Sequence, residues 1–277
     1  MALIFNQDTV ASAAPQAGVA RQTLLDNQRV KDIDFRLERI ILRASASQVI
    51  RIPTADLAWF QILEGDAVLV HGGERDAISH AHVVFLPPSF DGVIESHTGA
   101  VFLFAEIAGA KRLDPDFGRN PLAINIIDWT HEPVLLSEHD ARKRIYLATP
   151  TLSGTKALKG EMIIYPPGTE AANHHHEGAA HFMYILAGAG TVFADETPHR
   201  VREGDVVYYA DRERHYLRSD PDVEMRFVEF FVPGQYKTIW AEGANVCTWN
   251  PAGCDIRGNK ASREIQAHSS AAPTSDI

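Results

Sequence analysis

Apolar residues along this chain recur in short alternating or continuous runs bounded by Gly, Pro and Asp, not at the three-to-four-residue interval of an amphipathic helix. The runs predict strands at Ala67 to His71, His82 to Leu86 and Ala100 to Ile107. A second group follows at Gly160 to Tyr165, Phe182 to Leu186, Thr191 to Ala194, Asp205 to Tyr209 and Glu224 to Val232. β-Branched and aromatic segments broken by turn residues at roughly ten-residue spacing mark an all-β sandwich or barrel. Ser137 to Lys143 is the most helix-like stretch, and the pattern allows it a short turn of helix at most.

The chain also contains a repeat. Displaced by 123 residues, Phe35 to Leu42 falls on Leu158 to Tyr165, Phe60 to Gly65 on Met183 to Gly188, Val83 to Phe85 on Val206 to Tyr208, and Phe104 to Glu106 on Phe227 to Glu229. A period this long indicates duplicated domains, not a solenoid. The expected division is a flexible arm over 1–20, an N-terminal barrel over 21–135, a C-terminal barrel over 136–235, and an extension over 236–277. Tyr236, Trp240 and Trp249 make the first part of that extension too aromatic for a free linker, so it is expected to pack on a barrel surface or a partner subunit, with a lid as the lesser use. The remainder, from Gly258, reads as a polar tail.

Four histidines carry the candidate chemistry. His174 and His176 are two apart, so on a strand they share a face. A turn through Glu177 to Ala180 returns His181 on the next strand, and His215 arrives from a separate hairpin. The repeat supplies an internal control, because Arg51, Pro53, Ala58 and Gly92 stand at the same offsets in the first copy. Folding this barrel therefore does not require histidine there, and convergent imidazoles suggest a metal.

Gly168, His174, His176, His181 and Gly188 have the spacing of the first cupin motif, with His181 where that family usually has Glu. Gly204 and His215 match the second motif, in which Ala210, Arg212 and Ser219 replace the usual Pro, Gly and Asn. Over about residues 30 to 235 the chain thus resembles a bicupin. The resemblance implies two tandem jelly-roll barrels and a divalent metal in the C-terminal one, bound by His174, His176, His181 and His215. Fe(II) is favoured for such a ligand set, with Mn, Ni or Zn as alternatives.

An all-histidine set leaves the ion's charge uncompensated and attracts small anionic chelators. Similar sites in diketone-cleaving and gentisate-type dioxygenases imply an Fe(II) dioxygenase acting on a small oxygenated metabolite. The size and duplication also resemble ureidoglycine aminohydrolases, which use Mn(II), and a non-catalytic sensory bicupin is a third reading. Met183 and Ile185 share a face with His181, and Leu217 lies beside His215, so these three are the candidate substrate-facing wall. Barrel core is their commoner use. His175 and Tyr184 fall on the opposite face from the ligands, and no residue is singled out as catalytic. Glu229, aligned with Glu106 of the ligand-free copy, is expected to be structural.

A net charge of −10 and scattered Lys and Arg exclude an electrostatic footprint for nucleic acid. No run reaches membrane-spanning length, and residues Met1 to Asp8 lack the pattern of a signal peptide, so a cytoplasmic protein is expected. Cys247 and Cys254, with six residues between them, read as free thiols. Exposed sheet edges point to a homodimer with a small-molecule substrate.

Overall fold

The computed structural model describes residues 2–119 and 122–270 and divides into two compact units, Gln7–Trp129 and the chain from Thr130 onward joined by the N-terminal strand Leu3–Asn6. Each unit is a two-sheet jelly roll, so the chain carries two tandem barrels. The strands Ala67–His71, His82–Leu86, Ala100–Ile107 and Asp205–Tyr209 form over the bounds that alternation predicts. No helix among the described residues is long and apolar enough to cross a membrane.

In the first unit a six-stranded sheet runs, in spatial order, Asn125–Asp128, His82–Leu86, Leu57–Gly65, Ala100–Ile107, Arg36–Leu42 and Val19–Leu25. A four-stranded sheet of Ala46–Arg51, Asp91–Ser96, Ala67–His71 and Glu74–Ile78 faces it. Ile40, Phe60, Leu86 and Phe102 from one sheet meet Ile50, Leu69 and Ile94 from the other in one apolar cluster. Burying both inner faces against each other removes the apolar half of every strand from water.

The second unit repeats this plan. Its larger sheet includes Asp205–Tyr209, Ala180–Ala187, Met225–Val232, Lys159–Tyr165 and Lys143–Ala148, and its smaller sheet includes Ala189–Ala194, His215–Ser219 and His174–Glu177. Ile163, Met183, Ile185 and Phe227 pack against Val192 and Leu217 between them. Gly65 and Gly188 occupy equivalent strand ends in the two units with φ of 71° and 80°. At Gly188 a Cβ would also collide with the carbonyl oxygen of Glu224, so both conformation and space demand glycine.

Three expectations are corrected. Residues 1–20 are not simply a flexible arm, because Leu3–Asn6 adds an edge strand alongside Asp205–Tyr208 and Asn6 Nδ2 donates to Asp205 Oδ1 at 2.7 Å. Ser137 to Lys143 is not helical but the turn of a hairpin joining Leu135–Ser137 to Lys143–Ala148. The Asp140 carboxylate accepts both the Arg142 backbone N–H, at 2.9 Å, and its guanidinium, at 2.8 Å. The polar tail is docked as far as Ser270, since His268–Ser269 pairs with Thr248–Pro251 and His268 Nε2 lies 2.7 Å from Tyr146 Oη. The part of that tail over 271–277 lies outside the described residues.

Replacing Gly188 by Ala is expected to cost about 2 kcal/mol or more, because the left-handed backbone and the Glu224 carbonyl both oppose a side chain. Urea unfolding checks this, and an unchanged midpoint would contradict the assigned geometry.

Candidate metal centre

The strand pairing delivers the four histidines to one place. His174 lies directly across from His215 in the smaller sheet, and His181 directly across from Tyr209 in the larger one. The His174–His215, His176–His181, His181–His215 and His176–His215 ring centroids are 4.5, 4.9, 4.8 and 5.3 Å apart. His176, His181 and His215 are buried and His174 is half-buried. This is the inside of the barrel, where bulk water cannot solvate a polar ring.

Hydrogen bonds set the tautomers. His174 Nδ1 lies 2.8 Å from the Ala172 carbonyl oxygen, and His215 Nδ1 lies 2.8 Å from that of Glu213. A carbonyl oxygen only accepts, so both Nδ1 atoms carry the proton and both Nε2 atoms keep a free lone pair. His176 Nδ1 sits 3.2 Å from Thr238 Oγ1, a hydroxyl that can donate or accept and so holds the third ring in place without fixing its tautomer. His181 makes no well-aligned hydrogen bond from either nitrogen, although the Glu229 carboxyl lies 3.2 Å from its Nε2. A buried imidazole left in that state is costly, and a cation between the rings removes the cost.

Burial holds all four imidazoles neutral. It depresses His174 to about 4, opposed by the Ala172 carbonyl and aided by nearby cations. The same desolvation, reinforced by the neighbouring rings, drives His176, His181 and His215 well below their ordinary value. Neutral imidazoles with free lone pairs are the form that binds a metal. One ligand atom from each of His174, His176 and His215 falls within a 4.8 Å group, and a second such group comprises His176, His181 and Glu229. Metal–nitrogen bonds of about 2.1 Å place ligand atoms roughly 3 to 4 Å apart, so each of these two groups, which share His176, fits a divalent ion after slight contraction.

Glu229 is the residue that sequence alignment misplaced. Its Oε1 lies 3.2 Å from His181 Nε2. The constant 123-residue displacement pairs Glu229 with Glu106, but the sheet does not. Glu229 sits between Met183 and Glu161, whereas in the first unit Phe104 sits between Phe60 and Glu38. Strand Met225–Val232 is therefore shifted by two residues, and Phe104 is the true counterpart. A similar one-residue shift makes His174 pair with His215 as Ile50 pairs with Gly92, so His174 and His176 correspond to Ile50 and Ile52, not to Arg51 and Pro53.

With registers corrected, the contrast between the barrels sharpens. Ile50, Ile52, Ala58, Leu86 and Phe104 stand where the second unit has His174, His176, His181, Tyr209 and Glu229, and all five belong to one apolar core. Gly92 replaces His215, and the Phe90 ring packs tightly over it. What persists in both barrels is an ion triad. Arg21 and Arg36 each contact Glu38 at 2.7 Å, and Arg144 and Lys159 contact Glu161 at 3.1 and 3.4 Å. The triad belongs to the barrel, while the histidines and Glu229 belong to the second barrel alone.

A cavity of about 70 Å³ adjoins the cluster. His174, His176 and His215 line it, as do Met183 and Leu217 of the expected apolar wall. Ile185 does not; it is fully buried in the core between the sheets. Tyr236, Trp240 and Trp249 of the extension also line it. The extension thus does more than cover an outer surface. Lys237–Trp240 pairs with His174–Glu177, and Tyr236 Oη accepts from Lys159 Nζ at 2.8 Å. His175 points away from the cluster, as alternation requires, 3.6 Å from Glu177. Burial lowers Lys159 to about 8, with Glu161 opposing. Burial together with the Glu161 carboxylate pushes Glu229 well above the usual range.

The depressed imidazoles dictate a pH response. The unfolded chain takes up protons near pH 6.5, and the folded metal-free protein does so only at lower pH, near 4 for His174. Between those values the four imidazoles bind more protons in the unfolded state and outweigh the raised Glu229 carboxyl, which acts in the opposite sense, so stability is retained above about pH 6.5 and is lost as pH falls. Metal-free protein is expected to melt at a progressively lower temperature from pH 7 to pH 4. A melting temperature that rises over that interval would contradict the buried, neutral cluster.

Residues 161–231 match the Cupin_2 cupin domain family. Protein SchB of Streptomyces halstedii is 34% identical over 82 residues, a stretch that spans 30% of this chain and 59% of that protein. Among solved structures, a variant of Bacillus subtilis oxalate decarboxylase OxdC superposes with a TM-score of 0.67 at 15% identity, over 86% of this chain and 78% of that one. Protein Ylba from E. coli gives a TM-score of 0.69 at 11% identity, over 83% and 90%. These likenesses at low identity concern the fold. The family match falls within the second barrel, the one that holds the candidate metal site.

Proposed function

We propose that this bicupin is a metal-dependent enzyme whose C-terminal barrel binds a divalent cation through His174, His176, His181 and His215, with Glu229 beside them. The replacement of every polar site residue by an apolar one in the first barrel carries this reading. A fold that needs only an apolar interior has no use for four unprotonated imidazoles and a carboxylate in that space. The favoured reaction is Fe(II)-dependent dioxygenation of a small oxygenated anion, of the diketone- or gentisate-cleaving kind.

Bound there, the ion would supply Lewis acidity and a path for electrons between substrate and dioxygen. The chain's own contribution is positioning and exclusion of water. Met183, Leu217, Phe227 and Phe231 form an apolar wall around the cavity. Arg144 and Lys159, anchored on Glu161, bring cationic groups to another part of its lining, which favours an anionic occupant.

A second reading takes support from Glu229. A carboxylate 3.2 Å from His181 makes the donor set mixed and not purely imidazole, which suits Mn(II) and hydrolytic chemistry, including that of an aminohydrolase. Solved oxalate decarboxylase of the same fold is described with Mn(II) centres. Substrate screening with an oxygen electrode separates the two. Oxygen uptake dependent on Fe(II) supports the dioxygenase, and ammonia release without oxygen uptake removes it.

Single Ala replacements at His174, His176, His181 and His215 are each expected to weaken metal binding by roughly 100-fold or more, read by elemental analysis after gel filtration. Glu229→Gln should weaken it by roughly tenfold. Full metal retention in all five variants would refute the assigned centre.

A further inference from the structure

Two buried hydrogen-bond donors beside the histidines have nothing to donate to. Tyr209 Oη and Trp240 Nε1 are enclosed, and neither has a hydrogen-bond partner. Both residues line the cavity. They come from separate elements, Tyr209 from strand Asp205–Tyr209 of the larger sheet and Trp240 from strand Lys237–Trp240 of the extension. The rings form a continuous row: Tyr209 stacks on His215 at 4.1 Å, His215 lies 4.5 Å from His174, and His174 lies 5.0 Å from Trp240. Each orphan donor thus belongs to a ring that packs on one member of the His174–His215 pair. Arg144 Nε, also lining the cavity, is a third buried donor without an acceptor.

Native interiors rarely leave such groups unsatisfied, and an indole N–H can only donate. Packing does not demand the Tyr209 hydroxyl, since Leu86 fills the equivalent position of the first barrel, across from Ala58 as Tyr209 is from His181. At this position the hydroxyl is present in the barrel with the histidines and absent from the one without them. Three donors lacking acceptors call for a ligand rich in acceptor oxygens, and in the lining Arg142, Arg144 and Lys159 outnumber the carboxyl groups of Glu161 and Glu229, which favours an acid.

We propose that Tyr209 Oη and Trp240 Nε1 receive oxygens of a small hydroxy or oxo acid while another of its oxygens lies among the histidines. This rests on the metal-centre reading above and specifies the substrate class and the two residues that select it. Trp240 gives the C-terminal extension a direct part in recognition, beyond closing the barrel.

The test uses the full chain loaded with Co(II), titrated with malate and with 1,2,4-butanetriol, the same carbon skeleton without carboxylates, and followed by the visible cobalt spectrum. Malate should perturb the wild-type spectrum saturably and butanetriol should not. Tyr209→Phe and Trp240→Phe should each bind one equivalent of cobalt, with Tyr209→Phe melting no lower than wild type, yet each should bind malate roughly tenfold more weakly, the effect of losing one hydrogen bond to an anion. Unchanged malate affinity in both variants at full cobalt loading overturns the subsite alone, as does equal binding of butanetriol by the wild type. Loss of cobalt from Tyr209→Phe overturns it by making the tyrosine a ligand. Failure of the wild type to bind cobalt overturns the metal centre and the subsite together.

Discussion

The structure turns on the cost of keeping unprotonated imidazole rings inside an apolar barrel. His176, His181 and His215 lie where the first barrel has Ile52, Ala58 and Gly92, and burial suppresses their protonation. Two carbonyl oxygens fix the tautomers of His174 and His215, and His181 makes no well-aligned hydrogen bond from either nitrogen. An interior of this kind is poorly solvated without a cation and well solvated with one. The fold itself does not require them, because an apolar alternative is already present in the same chain.

The surrounding residues follow from the same constraint. The Arg144–Glu161–Lys159 triad is inherited from the barrel plan, as Arg21–Glu38–Arg36 shows, but its setting differs. In the first barrel the two arginine side chains are 35% and 55% exposed, whereas Arg144 and Lys159 are 14% and 2% exposed. The extension makes the difference by placing Tyr236 on Lys159 and Trp249 over the Arg144 guanidinium, 4.1 Å from ring centre to carbon. A structural ion triad that is open in one barrel is enclosed beside the candidate metal centre in the other, where its field is less screened by water.

Much of this was legible in the sequence, and the failures share one cause. Strand runs were readable because alternation of apolar and polar residues reports burial directly. The two-residue separation of His174 and His176, and the return of His181 after a short turn, were readable for the same reason. Glu229 and the counterparts of His174 and His176 were not, because they depend on how far one strand slides past its neighbour. A slide of two residues preserves the inward face of Met225–Val232, so alternation gives no warning that Phe104 and not Glu106 is the partner. Trp240 was visible as an aromatic residue in an extension of unusual composition. That it returns to pair with His174 is a long-range contact which no local pattern encodes.

The central claim is that one divalent cation sits among these side chains. An anomalous difference map from crystals of the metal-loaded protein, collected at the metal's absorption edge, tests it most directly. The account predicts a single strong peak within bonding distance of His174, His176 and His215, with His181 and Glu229 at its border or bonded to it. A map with no peak in the C-terminal barrel, from crystals of protein shown to contain metal, would contradict it.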